Sequence, residues 1–229
     1  MKHNELQRTR GWYLARKGHI TSSQVVCLLT KPRDKSQLFS DTALSYLNGV
    51  LAERFLDDDI FIGMKSDEKP TQAMEYGSDW ESTAISEYEK VTDNDVEDMP
   101  FCELNEYAGG SPDGKVDDGI IEVKCPFNIA HHFVNMQLTD QMQLLNGTSQ
   151  QKQYYAQMQM NMLVTGTDWC DYISFCPAFM STTRPLAIKV LRVERDNLFI
   201  ETLQQRLSEA VAYLKAQEAK INEQIFNSL

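Results

Sequence analysis

The sharpest constraint on this chain is a change of hydrophobic period near its middle. Between residues 40 and 90 apolar side chains recur at helical spacing, first Leu44, Leu47, Val50, Leu51 and Phe55, then Met74, Tyr76, Trp80, Ala84, Ile85 and Tyr88. These stripes predict helices over residues 40–56 and 71–90. Past residue 100 the stripe gives way to short apolar runs at 107–110 and 120–125, separated by Pro112-Asp113-Gly114 and Asp117-Asp118-Gly119. Runs of that length bounded by turn residues are strands. The same reading predicts helices at 128–137 and 151–164, strands at 170–176 and 186–193, and a long amphipathic helix at 196–226. Residues 4–30 read as two helical pieces, the second capped by Thr21, and Lys31-Pro32-Arg33 ends them. Asp57-Asp58-Asp59 reads as a solvated turn and residues 91–99 as an acidic loop. Helices flanking a small central mixed sheet make an α/β (α+β) architecture.

Composition narrows the class. A chain of 229 residues, 42% of them apolar, can bury a real core. It contains no run of about 20 apolar residues, the length of a membrane span, and its N-terminus lacks the apolar stretch of a secretory signal. Five cysteines (Cys27, Cys102, Cys125, Cys170 and Cys176) are odd in number and show no CxxC spacing. That argues against a disulfide framework or structural zinc and fits a reducing cytoplasm. The net charge of −11 is uneven: residues 1–40 carry +6, residues 41–120 carry −16 and residues 121–229 carry −1. Such a protein does not coat nucleic acid, but one basic surface can still guide a polyanion.

Chemistry concentrates in Ser111-Pro112-Asp113-Gly114 and in Ile120-Ile121-Glu122-Val123-Lys124-Cys125-Pro126. Alternation along a strand puts Glu122 and Lys124 on one face and turns Val123 to the core. A hairpin-like connection between residues 113 and 122 returns the Asp113 carboxylate beside Glu122. Two adjacent carboxylates repel unless a cation or a proton sits between them. Mg2+ takes hard oxygen ligands and keeps several waters, which suits one or two carboxylates plus substrate phosphate, and the Val123 carbonyl remains available near the strand end. Lys124 then orients or deprotonates an attacking water and offsets developing charge. His131 and His132 open the following helix and read as surface residues or phosphate contacts. Trp80, Trp169 and the methionines of residues 158–162 read as packing, and Cys125 as a small buried residue.

These segments resemble the PD-(D/E)xK nuclease motif and, more narrowly, the lambda-phage-type 5′→3′ alkaline exonuclease family, also called the YqaJ viral recombinase family. Three further stretches carry the resemblance in the same order along the chain. Gly77-Ser-Asp-Trp-Glu81-Ser-Thr-Ala84 resembles a helical Gly-x-x-x-Glu-x-x-Ala element whose Glu approaches the metals. Tyr155-Ala-Gln157-Met-Gln-Met160 resembles a helix whose first Gln helps to place the attacking water. WYLARKGHITSS, from Trp12 to Ser23, resembles the family's N-terminal element. The similarity covers roughly residues 7–195. In the family a basic side chain follows the Lys-Cys-Pro-Phe segment closely; Asn128-Ile129-Ala130 supplies none.

The resemblance implies a single domain over residues 1–229 with a restriction-endonuclease-like core. An N-terminal segment of about 60 residues would bind DNA ends. The implied catalytic set is Asp113, Glu122, Lys124, Glu81 and Gln157. Two Mg2+ ions, with Mn2+ able to substitute, would be held by Asp113, Glu122, Val123 and Glu81. Arg16 can grip a phosphate with parallel donors, and Thr21 and Ser23 add hydroxyls at a helix start. With Ser111 they form an implied 5′-phosphate pocket, while Trp12 and the basic turn at Lys31 and Arg33 contact duplex DNA. The implied reaction digests one strand of linear duplex DNA from its 5′ end to 5′-mononucleotides and leaves a 3′ single strand for recombination. A ring-shaped homotrimer, a single-strand annealing partner protein, a phage or prophage origin and a bacterial cytoplasmic location come with it, and no membrane. Two alternatives stay open: a restriction- or repair-type endonuclease with the same metal site, and a non-catalytic DNA-end-binding scaffold.

Overall fold

A computed structural model describes residues 7–181 and 183–228; the expected helical start at residues 4–6 lies outside the described residues. The chain opens with α1 (Arg10–Arg16) and β1 (Ile20–Thr21), followed by a 3-10 segment over Ser22–Leu29. The expected second helical piece is therefore a tighter 3-10 turn series. Thr21 belongs to the strand before it, and its side chain makes no cap bond. Next come α2 (Asp41–Phe55), α3 (Asp58–Asp67) and α4 (Gln72–Thr92). The acidic triplet is not a solvated turn: the Asp57 carboxylate accepts from Asp59 N at 2.8 Å and from Ile60 N at 3.4 Å, capping α3. An aspartate satisfying the orphan donors of a first turn is an ordinary helix start.

β2 (Cys102–Asn105), β3 (Ala108–Gly110), β4 (Gly114–Val116) and β5 (Gly119–Lys124) follow. After them come α5 (Ile129–Met136), α6 (Gln141–Leu145), α7 (Ser149–Thr165), β6 (Trp169–Phe175), β7 (Ile188–Glu194) and α8 (Asn197–Ser228). In place of one central sheet the described residues form two. A three-stranded sheet runs β1-β3-β2 and a four-stranded sheet runs β4-β5-β6-β7. β5 pairs antiparallel with β4 and parallel with β6. A parallel neighbour needs a long crossover, and α5, α6 and α7 supply it. The unforeseen β2 and α6 are short, and their sequences carry little periodicity.

Both faces of the larger sheet are covered, which splits the side chains of β5 between two clusters. Ile120 packs with Tyr155, Met158 and Met162 of α7. Ile121, Val123 and Cys125 pack with Ala84 and Tyr88 of α4. Glu122 and Lys124 share the parity of Ile120 and so face α7. A third cluster joins β1, the 3-10 segment, α2, α7 and α8. The methionines at 158, 160 and 162 are buried, as expected of packing residues. Met74 and Phe55, expected on buried stripes, are exposed. His132 is not a surface residue. It is fully buried and bridges Ser174 Oγ at 2.9 Å and the Leu186 carbonyl at 2.8 Å, tying α5 to β6. All five cysteines are buried free thiols. No described helix is long and apolar enough to cross a membrane.

Candidate active site

The β4–β5 hairpin places the first carboxylate. β4 folds back on β5 with Gly114 opposite Ile121 and Val116 opposite Gly119, turning at Asp117, whose φ of 49° is left-handed. Asp113 stands immediately before β4. Its amide donates to the Ile121 carbonyl at 3.1 Å, and the Val123 amide donates to Asp113 Oδ2 at 2.7 Å. One backbone bond and one bond to its carboxylate therefore lock Asp113 to the end of β5.

Glu122 is fully buried, and both of its oxygens are held. Lys124 Nζ donates to Oε1 at 2.5 Å and Gln157 Nε2 to the same oxygen at 2.6 Å, while Asn161 Nδ2 donates to Oε2 at 3.1 Å. Gln157 and Asn161 stand four residues apart on α7, the spacing that puts two side chains on one helix face. The Lys124 ammonium also lies 5.0 Å from the Tyr154 ring centroid. Burial pushes the Asp113 carboxyl well above the usual carboxylate range, and neighbouring Glu122 adds to this while Lys124 opposes it. Burial likewise raises Glu122 against the pull of Lys124. Burial alone would lower Lys124, but Glu122 and Asp113 outweigh it and hold the ammonium above its ordinary value.

A buried Glu122 and a half-buried Asp113 facing one ammonium leave excess negative charge at the cavity wall that a cation or a proton would offset. The donors are hard oxygens beside an open cavity, a set that suits a small divalent cation. Among the described residues no three His, Cys, Asp or Glu side chains close into a metal-binding group. A cation there would rely on Asp113, Glu122, a backbone carbonyl and water, which is the sparse protein shell Mg2+ favours. Glu81 of α4 lines the same cavity of about 960 Å3 as Asp113, Glu122, Lys124 and Gln157. Its Oε2 is paired with Arg8 Nη2 at 2.5 Å, and Arg8 Nη1 donates to Ser78 Oγ. α4 is itself clamped: Tyr88 OH donates to Asp171 Oδ2 of β6 at 2.8 Å, and Arg184 grips the buried Glu87 with two nitrogens.

A second cavity of about 580 Å3 adjoins the first, and Trp12, Tyr13 and Ser23 line both. Arg16 Nη1 donates to Ser111 Oγ at 3.0 Å, Trp12 Nε1 donates to the same oxygen at 3.1 Å, and the guanidinium stacks 4.2 Å from the Trp12 ring. Ser111 thus joins α1 to the loop that carries Asp113. Burial lowers Arg16 to about 10, against the opposing pull of Tyr46, Tyr13 and Glu53, which leaves it charged at neutral pH. Thr21 Oγ1 lies 3.4 Å from Ser23 Oγ, and the Thr21 amide donates to Tyr46 OH at 2.8 Å. Lys31 and Arg33 are exposed on the loop before α2 and line neither cavity. The sequence reading missed Arg8, Tyr46, Tyr154 and Asn161. Only Asn161 carried a signal, as an amide one turn beyond Gln157 on a helix already singled out.

Comparison with known proteins gives the family and the fold. The model described as YqaJ-like viral recombinase domain matches residues 11–168. Among solved structures, the alkaline exonuclease LHK-Exo from Laribacter hongkongensis is 24% identical, covers 96% of this chain and 100% of its own, and superposes with a TM-score of 0.76. The same enzyme in complex with dAMP gives 25% identity, equal coverage and a TM-score of 0.77. A phage related exonuclease from Haemophilus somnus 129PT shares the fold at 20% identity and a TM-score of 0.67, over 93% of this chain and 99% of that one. A comparison with curated protein sequences gives no match.

Proposed function

From the premise that the chain belongs to the YqaJ-like viral recombinase family, we propose that it is a divalent-metal-dependent exodeoxyribonuclease. It digests one strand of linear duplex DNA from the 5′ end, releases 5′-mononucleotides and leaves a 3′ single strand. The observation that carries the reading is the junction at Ser111 and Asp113: one short loop ties the Arg16 guanidinium to the carboxylate and ammonium cluster at the end of β5.

Asp113, Glu122 and the Val123 carbonyl would hold Mg2+, and Glu81 would serve a second ion once released from Arg8. The chemistry such cations supply when bound is neutralisation of charge on the scissile phosphoryl group and a more acidic attacking water. Lys124 orients that water and offsets negative charge on the phosphorus centre. Gln157 holds Glu122 from one side and faces the cavity where the water stands. Water attacks phosphorus, the P–O3′ bond breaks, the 3′ oxygen takes up a proton, and the remaining strand keeps a new 5′-phosphate. Arg16, Ser111, Thr21 and Ser23 receive the terminal phosphate, whose double charge suits a guanidinium with flanking hydroxyls. Trp12, Lys31 and Arg33 contact the duplex.

The proposed assembly is a ring-shaped homotrimer acting with a single-strand annealing protein in the cytoplasm of a bacterial host, and the chain originates from a phage or prophage. The basic first 40 residues, set against an acidic remainder, suit a channel lining with the acids outside. A time course with Mg2+ on end-labelled linear and circular duplexes, carrying 5′-phosphate or 5′-hydroxyl ends, tests the reading. Label released as mononucleotide from 5′-phosphorylated linear DNA, with circles intact, is the expected result. Cut circles would indicate an endonuclease, and end binding without product a scaffold.

A further inference from the structure

Asn161 is fully buried, and its side chain is used on one side only. Nδ2 donates to Glu122 Oε2, whereas Oδ1 finds no hydrogen-bond partner among the described residues. A buried amide that leaves its carbonyl unpaired costs stability, so an apolar or smaller residue would serve a purely packing role better. The amide cannot turn over, because its carbonyl would then face a carboxylate oxygen. β3 approaches it closely at Gly110, where an added Cβ would overlap Oδ1 and press on Ser22 Oγ. The absence of a side chain at Gly110 makes room for this amide in this orientation.

We infer that Asn161 is a positioning residue that fixes the Glu122 carboxylate for a divalent cation. Oε1 already receives Lys124 and Gln157, and Asn161 supplies the donor on Oε2. With both oxygens tied, the carboxylate plane cannot rotate, and its remaining lone pairs keep one direction beside Asp113. Partners of this kind orient metal ligands, and removing them weakens metal affinity by roughly 10–100-fold. The inference rests on the metal-dependent nuclease reading of the same site.

Calorimetric titration of Mn2+ alone into the full chain tests it, with melting temperature measured on every sample. Asn161→Leu and Asn161→Ala remove the donor. Gly110→Ala leaves Asn161 in place but displaces its amide. Gln159→Ala is the control: this α7 residue is equally buried and bonds the Glu194 carbonyl and the Asp196 amide, away from Glu122. Expected is Mn2+ binding about 10–100-fold weaker in folded Asn161 variants and in Gly110→Ala. Cleavage of linear duplex should fall by a similar factor with end binding unchanged, while Gln159→Ala binds Mn2+ like the parent. Parent-like Mn2+ binding in any folded variant lacking the donor overturns the inference, as does equal weakening in Gln159→Ala. A parent chain that binds Mn2+ but cleaves no DNA would reject the nuclease reading and leave the Asn161 result to stand by itself.

Discussion

The two cavities that share Trp12, Tyr13 and Ser23 as lining are built in opposite ways. On the sheet side, the buried Glu122 carboxylate, an ammonium and two amides sit on β5 and α7, with Asp113 just before β4, locked by a backbone ladder and by packing on both sheet faces. On the N-terminal side, one guanidinium rests on an indole ring, with hydroxyls from a two-residue strand and a 3-10 segment. The first arrangement fixes atoms to within small tolerances, as bond-breaking chemistry requires. The second offers charge and hydroxyls to a ligand that must enter and leave repeatedly. The difference teaches that loss on the sheet side should abolish turnover, and loss on the N-terminal side should change which ends are chosen.

The largest expected effect breaks the sheet side alone. Asp113→Ala or Lys124→Ala should lower hydrolysis by at least about 10²–10³-fold while the protein melts cooperatively and still binds DNA ends in a gel-shift assay. Ordinary turnover by either variant would remove the distinction between the two cavities. Next comes Arg16→Ala. A hydrogen bond to a charged group contributes about 1.5–3 kcal/mol, so the preference for 5′-phosphate over 5′-hydroxyl ends should shrink by roughly 10–100-fold, read as a ratio of initial rates. An unchanged ratio would move the terminal-phosphate site elsewhere.

Acid separates the regions by stability. Burial lowers the pKa of His132 below its ordinary 6.5. Its neutral form is therefore the native one, and its contribution is full above about pH 6.5. That contribution is lost as pH falls toward the depressed folded value, by no more than about 1.4 kcal/mol per pH unit. Denaturant midpoints between pH 7 and pH 5 should fall less steeply in His132→Gln than in the parent; parallel slopes would contradict the buried neutral imidazole. The smallest effect concerns the exposed loop. Lys31→Ala and Arg33→Ala should each reduce the slope of log affinity against log salt by about 0.9, with kcat on saturating DNA unchanged.

How far the sequence carried this account differs between the same two regions. Asp113, Glu122 and Lys124 were legible because a Pro-Asp-Gly turn and a strand's alternation are local rules, and the hairpin register obeys them. The helical stripes at α2, α4, α7 and α8 were legible for the same reason. Asp57-Asp58-Asp59 misled because three acids suggest a solvated turn as strongly as a helix cap, and the continuous Ile60-Phe61-Ile62 run after them carries no helical period to decide between them. His132 misled because its partners, Ser174 and Leu186, lie 42 and 54 residues away. Arg8, Tyr46 and Tyr154 take their places through tertiary packing, which no local pattern encodes. Asn161 shows the boundary: its helix and face were readable, but its use of Glu122 depends on how α7 lies across β5.

The central claim is that Asp113 and Glu122 share a divalent cation at the end of β5. An anomalous difference map from a crystal soaked in Mn2+ tests it most directly. The account predicts a peak at roughly 2.1 Å from oxygens of both carboxylates, facing the cavity that Lys124 and Gln157 line. A map in which the cation binds only elsewhere, with Asp113 and Glu122 still bonded solely to protein donors, would contradict it.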